Sequence, residues 1–167
     1  MFDEQNFATF DSMKQVKREF MVEAWEASEL PDVDQELLRK AHEAAAHAYA
    51  PYSNFRVGAA VRLSSGKIVQ GSNQENMAYP SGLCAERTAF FAAGSQFPGE
   101  EIEAAAVVTD LSMPTVDFSP CGGCRQVMVE SELRNGKPIR FLMQPGFGEV
   151  LVSANVSQFL PMTFRLP

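Results

Sequence analysis

The segment Pro120-Cys121-Gly122-Gly123-Cys124 holds two of the three cysteines of this chain, and Cys84-Ala85-Glu86 holds the third. The pattern of apolar residues predicts that each segment lies at the start of a helix. Cys121 and Cys124 are three residues apart, so on a first helical turn their sulfur atoms can bind the same ion. The partial positive charge at a helix N-terminus also favours thiolate over thiol. Cysteines at two such helix starts therefore indicate a metal site.

The number of candidate ligands indicates what kind of metal site this is. Three cysteines leave one position of a tetrahedral zinc ion open for water, which is typical of a catalytic zinc. Glu86 lies two residues after Cys84 and can transfer protons beside that water without being a ligand. Two other interpretations stay open: a thioredoxin-like redox pair at Cys-x-x-Cys, and a structural zinc site that recruits His42 or His47. The redox pair leaves Cys84-Ala85-Glu86 unexplained, and the histidine spacing of five is not that of a helical metal pair.

Outside these segments, helical and strand patterns alternate along the chain. Apolar residues alternate with others between Phe55 and Leu63, which predicts a strand, and Gly66 marks a turn before a second strand. Because strands alternate with helices, we predict an α/β fold with helices on both faces of a sheet. The predicted helices cover about 32–48, 84–93 and 121–133, and the predicted strands cover 55–63, 68–71, 104–109, 139–143 and 150–152.

The first 30 residues read as a helical lead-in. Val16, Phe20, Ala24 and Ala27 follow helical spacing, and Leu30-Pro31 ends the pattern. We therefore predict two parts: an N-terminal helical extension at residues 1–33, and a zinc domain at residues 34–167. The extension would pack on the main body or on a neighbouring subunit.

The composition is that of one globular domain with an acidic surface. The chain has 167 residues, 46% hydrophobic and 21% charged, and its formal net charge is −7. An acidic surface argues against nucleic acid as a partner, because that binding depends on Lys and Arg beside phosphates. No apolar run approaches the roughly 20 residues of a membrane span, and the N-terminus lacks a signal-peptide pattern. We expect a cytoplasmic protein that acts on a small molecule and has no membrane partner.

The motifs resemble those of small cytidine deaminases, the homotetrameric type with three zinc-binding cysteines. Cysteine or histidine before x-Glu, followed by Pro-Cys-x-x-Cys, is the signature of zinc deaminases. The resemblance spans about residues 37–164, and its segments are 49–60, 71–76, 79–87 and 119–126. It implies a three-layer α/β/α sandwich with a mixed central sheet of about five strands. It also implies one Zn²⁺ per subunit and a homotetramer whose subunits share their active sites.

The resemblance further implies the reaction and the residues that carry it out. Cytidine and deoxycytidine would be hydrolysed to uridine and deoxyuridine with release of ammonia, a step of pyrimidine salvage. Cys84, Cys121 and Cys124 would bind the zinc, and Glu86 would be the general acid and base. The residues implied to contact the substrate are Asn73 and Glu75 at the ribose 3′-hydroxyl, Phe55 against the nucleoside, the backbone of Ala85 and Ser119 at the pyrimidine edge, and Phe164 in a neighbouring subunit's site.

Two arginines are predicted to offset the charge of this centre. Three thiolates and Zn²⁺ sum to −1, which makes the metal a weaker Lewis acid than a neutral centre. Arg87 follows Glu86, and Arg125 follows Cys124, so both guanidinium groups can donate to thiolate sulfur.

Two further functions remain as alternatives. A blasticidin-type aminonucleoside deaminase shares the Cys-x-Glu and Pro-Cys-x-x-Cys motifs, but Phe55 and the segment Asn73-Gln74-Glu75-Asn76 favour cytidine. A non-catalytic zinc-binding module is disfavoured by Glu86 and by the open coordination position. Deaminases of tRNA, deoxycytidylate and polynucleotides usually have histidine where this chain has Cys84. A carboxylate at Glu75 would also repel a 3′-phosphodiester.

Overall fold

The computed structural model describes residues 14–164, which form one mixed sheet flanked by helices. Six strands lie in the spatial order β1-β6-β5-β4-β2-β3. The strands are β1 (Glu23–Trp25), β2 (Val57–Leu63), β3 (Ile68–Ser72), β4 (Ile102–Thr109), β5 (Arg140–Pro145) and β6 (Val150–Ser153). The α-helices are α1 (Asp32–Ala45), α2 (Ala85–Gln96) and α3 (Gly122–Asn135), and short 3₁₀ helices cover Ala27–Glu29, Tyr79–Ser81, Thr115–Asp117 and Val156–Phe159.

The sheet combines one parallel pair with antiparallel pairs. β4 and β5 run parallel, in register from Ala104 with Arg140 to Thr109 with Pro145. The other neighbouring strands pair antiparallel. A parallel pair needs a crossover connection, and α3 supplies it between β4 and β5. The predicted mixed sheet is confirmed, with one strand more than the five expected.

Helices cover both faces of the sheet, as predicted. In β4, Ala105 and Val107 pack in a core with residues of α2 and α3. Ala104, Ala106 and Val108 alternate with them and pack against α1 on the opposite face. Because both faces of β4 are buried, its sequence is a continuous apolar run rather than an alternating one. The three-layer α/β/α architecture is thereby confirmed. Among residues 14–164, no helix has the length and apolar character needed to cross a membrane.

The N-terminal extension differs from the predicted helix. Residues 1–13 lie outside the described residues, and residues 14–22 have no regular secondary structure. β1 follows and pairs antiparallel with β6, with Ala24 opposite Leu151. Val22 packs against the core below α2 and α3, and Trp25 packs against the core on the α1 side. The extended conformation of residues 23–25 is therefore determined by pairing with the edge of β6. The helical spacing of the apolar residues does not determine it.

Gly71 in β3 allows α2 to lie directly on the sheet. A Cβ atom at this position would lie 2.4 Å from the Ala89 nitrogen and 2.7 Å from the Ala85 carbonyl oxygen. Both are backbone atoms of α2, so the helix itself would have to move. Only glycine permits this close approach, which sets the depth of the helix that carries Glu86.

We therefore expect Gly71→Ala to lower the free energy of unfolding by about 1–3 kcal/mol, the usual cost of overpacking a core. Urea denaturation followed by circular dichroism would measure this change. Gly94→Ala is the matched control in α2, because its Cβ would have no neighbour nearer than the Arg134 side chain at 4.0 Å. A Gly71→Ala protein as stable as wild type would show that α2 can shift without cost.

Candidate metal centre and active-site cavity

Cys84 and Cys121 lie at the N-terminal ends of two neighbouring helices. Cys84 is the residue before α2 and Cys121 the residue before α3, both with extended backbone conformation. Cys124 is buried in the first turn of α3. The sulfur atoms are separated by 3.7 Å between Cys84 and Cys121, and by 3.4 Å between Cys121 and Cys124. All three lie within 4.8 Å of one another.

This spacing fits one zinc ion. Sulfur ligands of a tetrahedral zinc stand about 3.8 Å apart, because each Zn–S bond is about 2.3 Å long. The three thiols are thus already at ligand separation. Of the two histidines considered as a fourth ligand, His42 is engaged elsewhere: its Nε2 lies 2.9 Å from Gln144 Oε1 and its ring stacks on Phe147. Within residues 14–164, the metal-binding group that includes these sulfurs consists of the three cysteines alone.

The pKa values of Cys84 and Cys124 are shifted in opposite directions. A hydrogen bond with the Cys124 thiol lowers the pKa of Cys84 to about 5, and Arg87 acts in the same direction. The hydrogen bond to Cys84 and burial together raise the pKa of Cys124. The first thiolate of the cluster is therefore that of Cys84, where the helix N-terminus and Arg87 stabilise negative charge.

Glu86 is a buried carboxyl beside these thiols. It lies in the first turn of α2 and is only 5% exposed. Burial raises the pKa of Glu86 to about 7. A carboxyl group with a pKa near neutrality can both accept and release a proton, as general acid–base catalysis requires.

A cavity of about 340 Å³ opens onto Glu86 and two of the cysteines. Its volume lies within the range of small-molecule sites. The structure brings most of the predicted site residues together here: the cavity is lined by Phe55, Asn73, Glu75, Cys84, Ala85, Glu86, Ser119 and Cys121.

Asn73 is partly committed to the protein backbone. Its side-chain oxygen accepts a hydrogen bond from Val57 N at 2.8 Å, and its side-chain nitrogen donates to Phe55 O at 2.8 Å. These bonds fix the start of β2 and hence the position of Phe55 at the cavity. One N–H of the Asn73 amide remains for another acceptor.

Glu75 holds the loop that precedes β2. Its carboxylate accepts hydrogen bonds from the Tyr52 amide at 2.9 Å and from the Ser53 amide at 3.3 Å. The Ser53 hydroxyl also donates to it. These bonds, led by that of the Ser53 hydroxyl, lower the pKa of Glu75. The residue is therefore an anion that faces the cavity.

Arg87 and Arg125, which were both predicted to donate to thiolate sulfur, have different hydrogen-bond partners. Arg87 Nη2 lies 3.8 Å from Cys84 Sγ, in the predicted direction, while its Nε is buried without an acceptor. Arg125 donates to oxygen atoms instead: Nε to Pro120 O at 2.7 Å, Nη2 to Ser119 Oγ at 2.9 Å and Nη1 to Phe159 O at 3.3 Å. The predicted donation from Arg125 to sulfur is thus corrected, because oxygen acceptors on both sides of the guanidinium group engage its donors.

Phe164 lies outside the cavity of its own chain. Its side chain is 71% exposed, and its carbonyl oxygen accepts a hydrogen bond from Gln126 Nε2 at 3.3 Å. The single chain therefore leaves the Phe164 ring facing outward.

The sequence analysis missed several cavity residues. Phe118 is 7% exposed, and its ring centroid lies 6.5 Å from that of Phe55. The sequence could have indicated Phe118 by its position two residues before Pro120, which begins the second cysteine motif. The other missed lining residues are Ser53, Val57, Val107, Met113 and Asp117. Met113 and Asp117 belong to the connection between β4 and α3, whose path no local pattern specifies.

Comparisons with known proteins agree with this geometry. The family model described as the cytidine and deoxycytidylate deaminase zinc-binding region matches residues 31–136. A cytidine deaminase from Halalkalibacterium halodurans is 40% identical over 130 residues, which cover 78% of this chain and 92% of that protein. One from Mycobacterium tuberculosis is 44% identical over 66% of this chain and 84% of its own length. The crystal structure of a cytidine deaminase from Burkholderia pseudomallei, 40% identical, superposes with a TM-score of 0.68 over 78% of this chain and 98% of that chain.

Proposed function

This chain belongs to the family of cytidine and deoxycytidylate deaminases with a zinc-binding region, and from that membership we propose the reaction of its cavity. It hydrolyses cytidine and deoxycytidine to uridine and deoxyuridine and releases ammonia, as in pyrimidine salvage. One observation carries the proposal: a cavity of about 340 Å³ is lined by the buried carboxyl of Glu86 and by two thiols of a three-cysteine cluster. The relatives compared above are named cytidine deaminases, which disfavours an aminonucleoside deaminase or a non-catalytic zinc module.

Zinc is the cofactor, and we assign its ligands to Cys84, Cys121 and Cys124. When bound, zinc acts as a Lewis acid that lowers the pKa of a water molecule toward neutrality. The cluster would hold the ion at the N-termini of α2 and α3, whose partial positive charges would offset part of the thiolate charge. Donation from Arg87 to Cys84 offsets more of it.

Glu86 moves the protons of the reaction. It accepts a proton from the attacking water and gives it to N3 of the cytosine ring, which makes C4 electrophilic. The water oxygen forms a bond to C4. Glu86 then transfers the second proton of that water to the amino group, the C4–N bond breaks, and ammonia leaves. One water is consumed for each ammonia released.

The remaining cavity residues hold the nucleoside in position. Phe55 and Phe118 provide an apolar wall for the pyrimidine ring, and the backbone of Ala85 and Ser119 binds the pyrimidine edge. The free N–H of Asn73 and the carboxylate of Glu75 bind the ribose hydroxyls.

Charge favours a free nucleoside over a nucleotide or a nucleic acid. The Glu75 carboxylate accepts a hydrogen bond from a 3′-hydroxyl but repels a 3′-phosphodiester. The chain's net charge of −7 also disfavours binding of a nucleic acid.

We further propose that residues 34–167 form the deaminase domain of a cytoplasmic homotetramer with shared active sites. Large apolar side chains stand exposed near the cavity loops: Met77 is 82% exposed and Tyr79 is 77% exposed. Side chains of this kind commonly mark protein interfaces. The exposed Phe164 ring would enter a neighbouring subunit's site. Light scattering after size exclusion would test the assembly against the chain mass of 18.4 kDa.

The reaction is tested by the ultraviolet absorbance change when purified zinc-loaded protein is mixed with cytidine or deoxycytidine. We expect both to be converted, with one zinc bound per chain. If zinc is bound but neither nucleoside reacts, the proposed substrate is wrong. Conversion of an aminonucleoside such as blasticidin alone would favour the alternative deaminase.

Arg87→Gln is expected to lower turnover by about 10- to 100-fold while zinc stays bound, the usual cost of losing a partner of a metal ligand. Glutamine loses the positive charge that faces the Cys84 thiolate. Turnover and zinc content would be measured on the same sample. Arg134→Gln, at an arginine near the end of α3 whose guanidinium lies 3.4 Å from Ser131 Oγ, is the control. Unchanged turnover in Arg87→Gln would show that the charge is offset elsewhere.

A further inference from the structure

The segment before β1 crosses the outside of the 3₁₀ helix Val156–Phe159. The Phe20 ring packs edge-on against Phe159 with centroids 5.0 Å apart. The Met21 amide donates to Gln158 Oε1 at 2.9 Å. β1 then continues along β6 and fixes the segment to the sheet. Residues 20–25, here named the N-terminal strap, thus hold the outer side of the 3₁₀ helix.

The inner side of the same 3₁₀ helix is held by α3 and β5. The buried Glu132 carboxylate accepts hydrogen bonds from the Val156 amide at 2.9 Å and the Ser157 amide at 3.3 Å. The Phe159 ring packs edge-on against Phe141, with centroids 5.5 Å apart. Phe159 is therefore placed between the core on one side and Phe20 on the other.

Arg125 connects Phe159 to the active-site loop. Its guanidinium donates to the Phe159 carbonyl oxygen, the Ser119 hydroxyl and the Pro120 carbonyl oxygen. Ser119 lines the cavity, and Cys121 follows Pro120 directly. The guanidinium group is planar and rigid. A displacement of the Phe159 backbone would therefore also displace Ser119 and Pro120.

The loop has room to shift if the strap is disturbed. A second cavity of about 310 Å³ lies behind it. Phe20 and Val22 of the strap line one part of this cavity, and Phe118, Ser119 and Arg125 line another. Removing the Phe20 ring would enlarge a space that the active-site loop already borders.

We propose that the N-terminal strap positions Ser119 for the pyrimidine edge through Phe159 and Arg125. The inference rests on the proposed function and adds to it two positioning residues, Phe20 and Arg125. The strap and the 3₁₀ helix both lie outside residues 31–136, the part of the chain that matches the family.

The test compares Phe20→Ala and Arg125→Lys with wild type. We expect the KM for cytidine to rise about tenfold in each, equivalent to the net value of about one hydrogen bond. The turnover number per bound zinc should change less than about twofold, because the loss falls on binding. The dissociation constant of uridine, measured by calorimetry, should rise by the same factor as the KM.

Two further variants separate positioning from folding. Phe20→Tyr keeps the ring and should restore the wild-type KM. Phe147→Ala removes another exposed aromatic ring, which stacks on His42 on the α1 side, and should leave both constants unchanged.

The outcomes distinguish this inference from the proposed function. If wild type deaminates cytidine and binds uridine, and Phe20→Ala does both equally well, the strap has no positioning role. An equal rise of KM in Phe147→Ala would also overturn the inference, because the loss of an exposed aromatic ring far from the strap would then have the same effect. If wild type neither deaminates cytidine nor binds uridine, the proposed function fails, and the strap's role fails with it.

Discussion

Glu86→Gln is expected to lower cytidine turnover by about 10²- to 10⁴-fold while zinc remains bound at one ion per chain. Glutamine has nearly the same shape as glutamate but cannot accept the proton of the attacking water or return it to the ring and the leaving amine. Both transfers depend on this one side chain, so both are lost together. Zinc is retained because Glu86 is not a ligand.

The measurement combines the absorbance assay with zinc analysis and a cytidine binding constant. Binding should change far less than turnover, because the variant keeps the cavity wall. Glu130→Gln is the matched control, an exposed carboxylate on α3 outside the cavity lining. If Glu86→Gln kept more than about a tenth of the activity, a second group would have to carry the protons.

Cys124→Ala is expected to abolish zinc binding and activity together. The Cys124 sulfur is fully buried in the first turn of α3, 3.4 Å from that of Cys121. Two thiolates from different helices cannot replace a three-ligand centre, and the free energy of metal binding also stabilises the fold. We expect activity to fall by more than about 10³-fold, with a lower melting temperature.

Zinc content by a chromophoric chelator and melting curves with and without a chelating agent would check this expectation. Wild type should melt at a lower temperature in the chelating agent, whereas Cys124→Ala should show little difference. A variant that retains one zinc per chain would mean that another group replaces the lost sulfur.

The sequence predicted the parts of the fold that short-range patterns determine. The starts of α2 and α3 follow from the two cysteine motifs, and both helices are confirmed. The apolar run at 104–109 predicted a strand, which β4 (Ile102–Thr109) also confirms. Phe55, Asn73 and Glu75 were assigned by resemblance, and the structure places them at one cavity.

The remaining features depend on partners far away in the sequence. β1 has only three residues, and it is a strand because β6 is beside it. The local apolar spacing could not reveal that neighbour. Arg125 was predicted to donate to a nearby sulfur, but Phe159, 34 residues away, takes one of its hydrogen bonds. Phe118 was missed because its partner Phe55, just before β2, is 63 residues away in the sequence.

The pairing of β1 with β6 also protects the molecule from edge-to-edge aggregation. Three of the four residues of β6 (Val150–Ser153) are apolar, and without β1 the strand would be an unpaired sheet edge. Exposed apolar edges recruit strands from other copies and lead to aggregation. β1 is short and carries the charged Glu23, so it is a poor template as the outermost strand. A version that begins at residue 31, where the family match begins, would therefore expose the β6 edge and lose solubility while it kept all three zinc ligands.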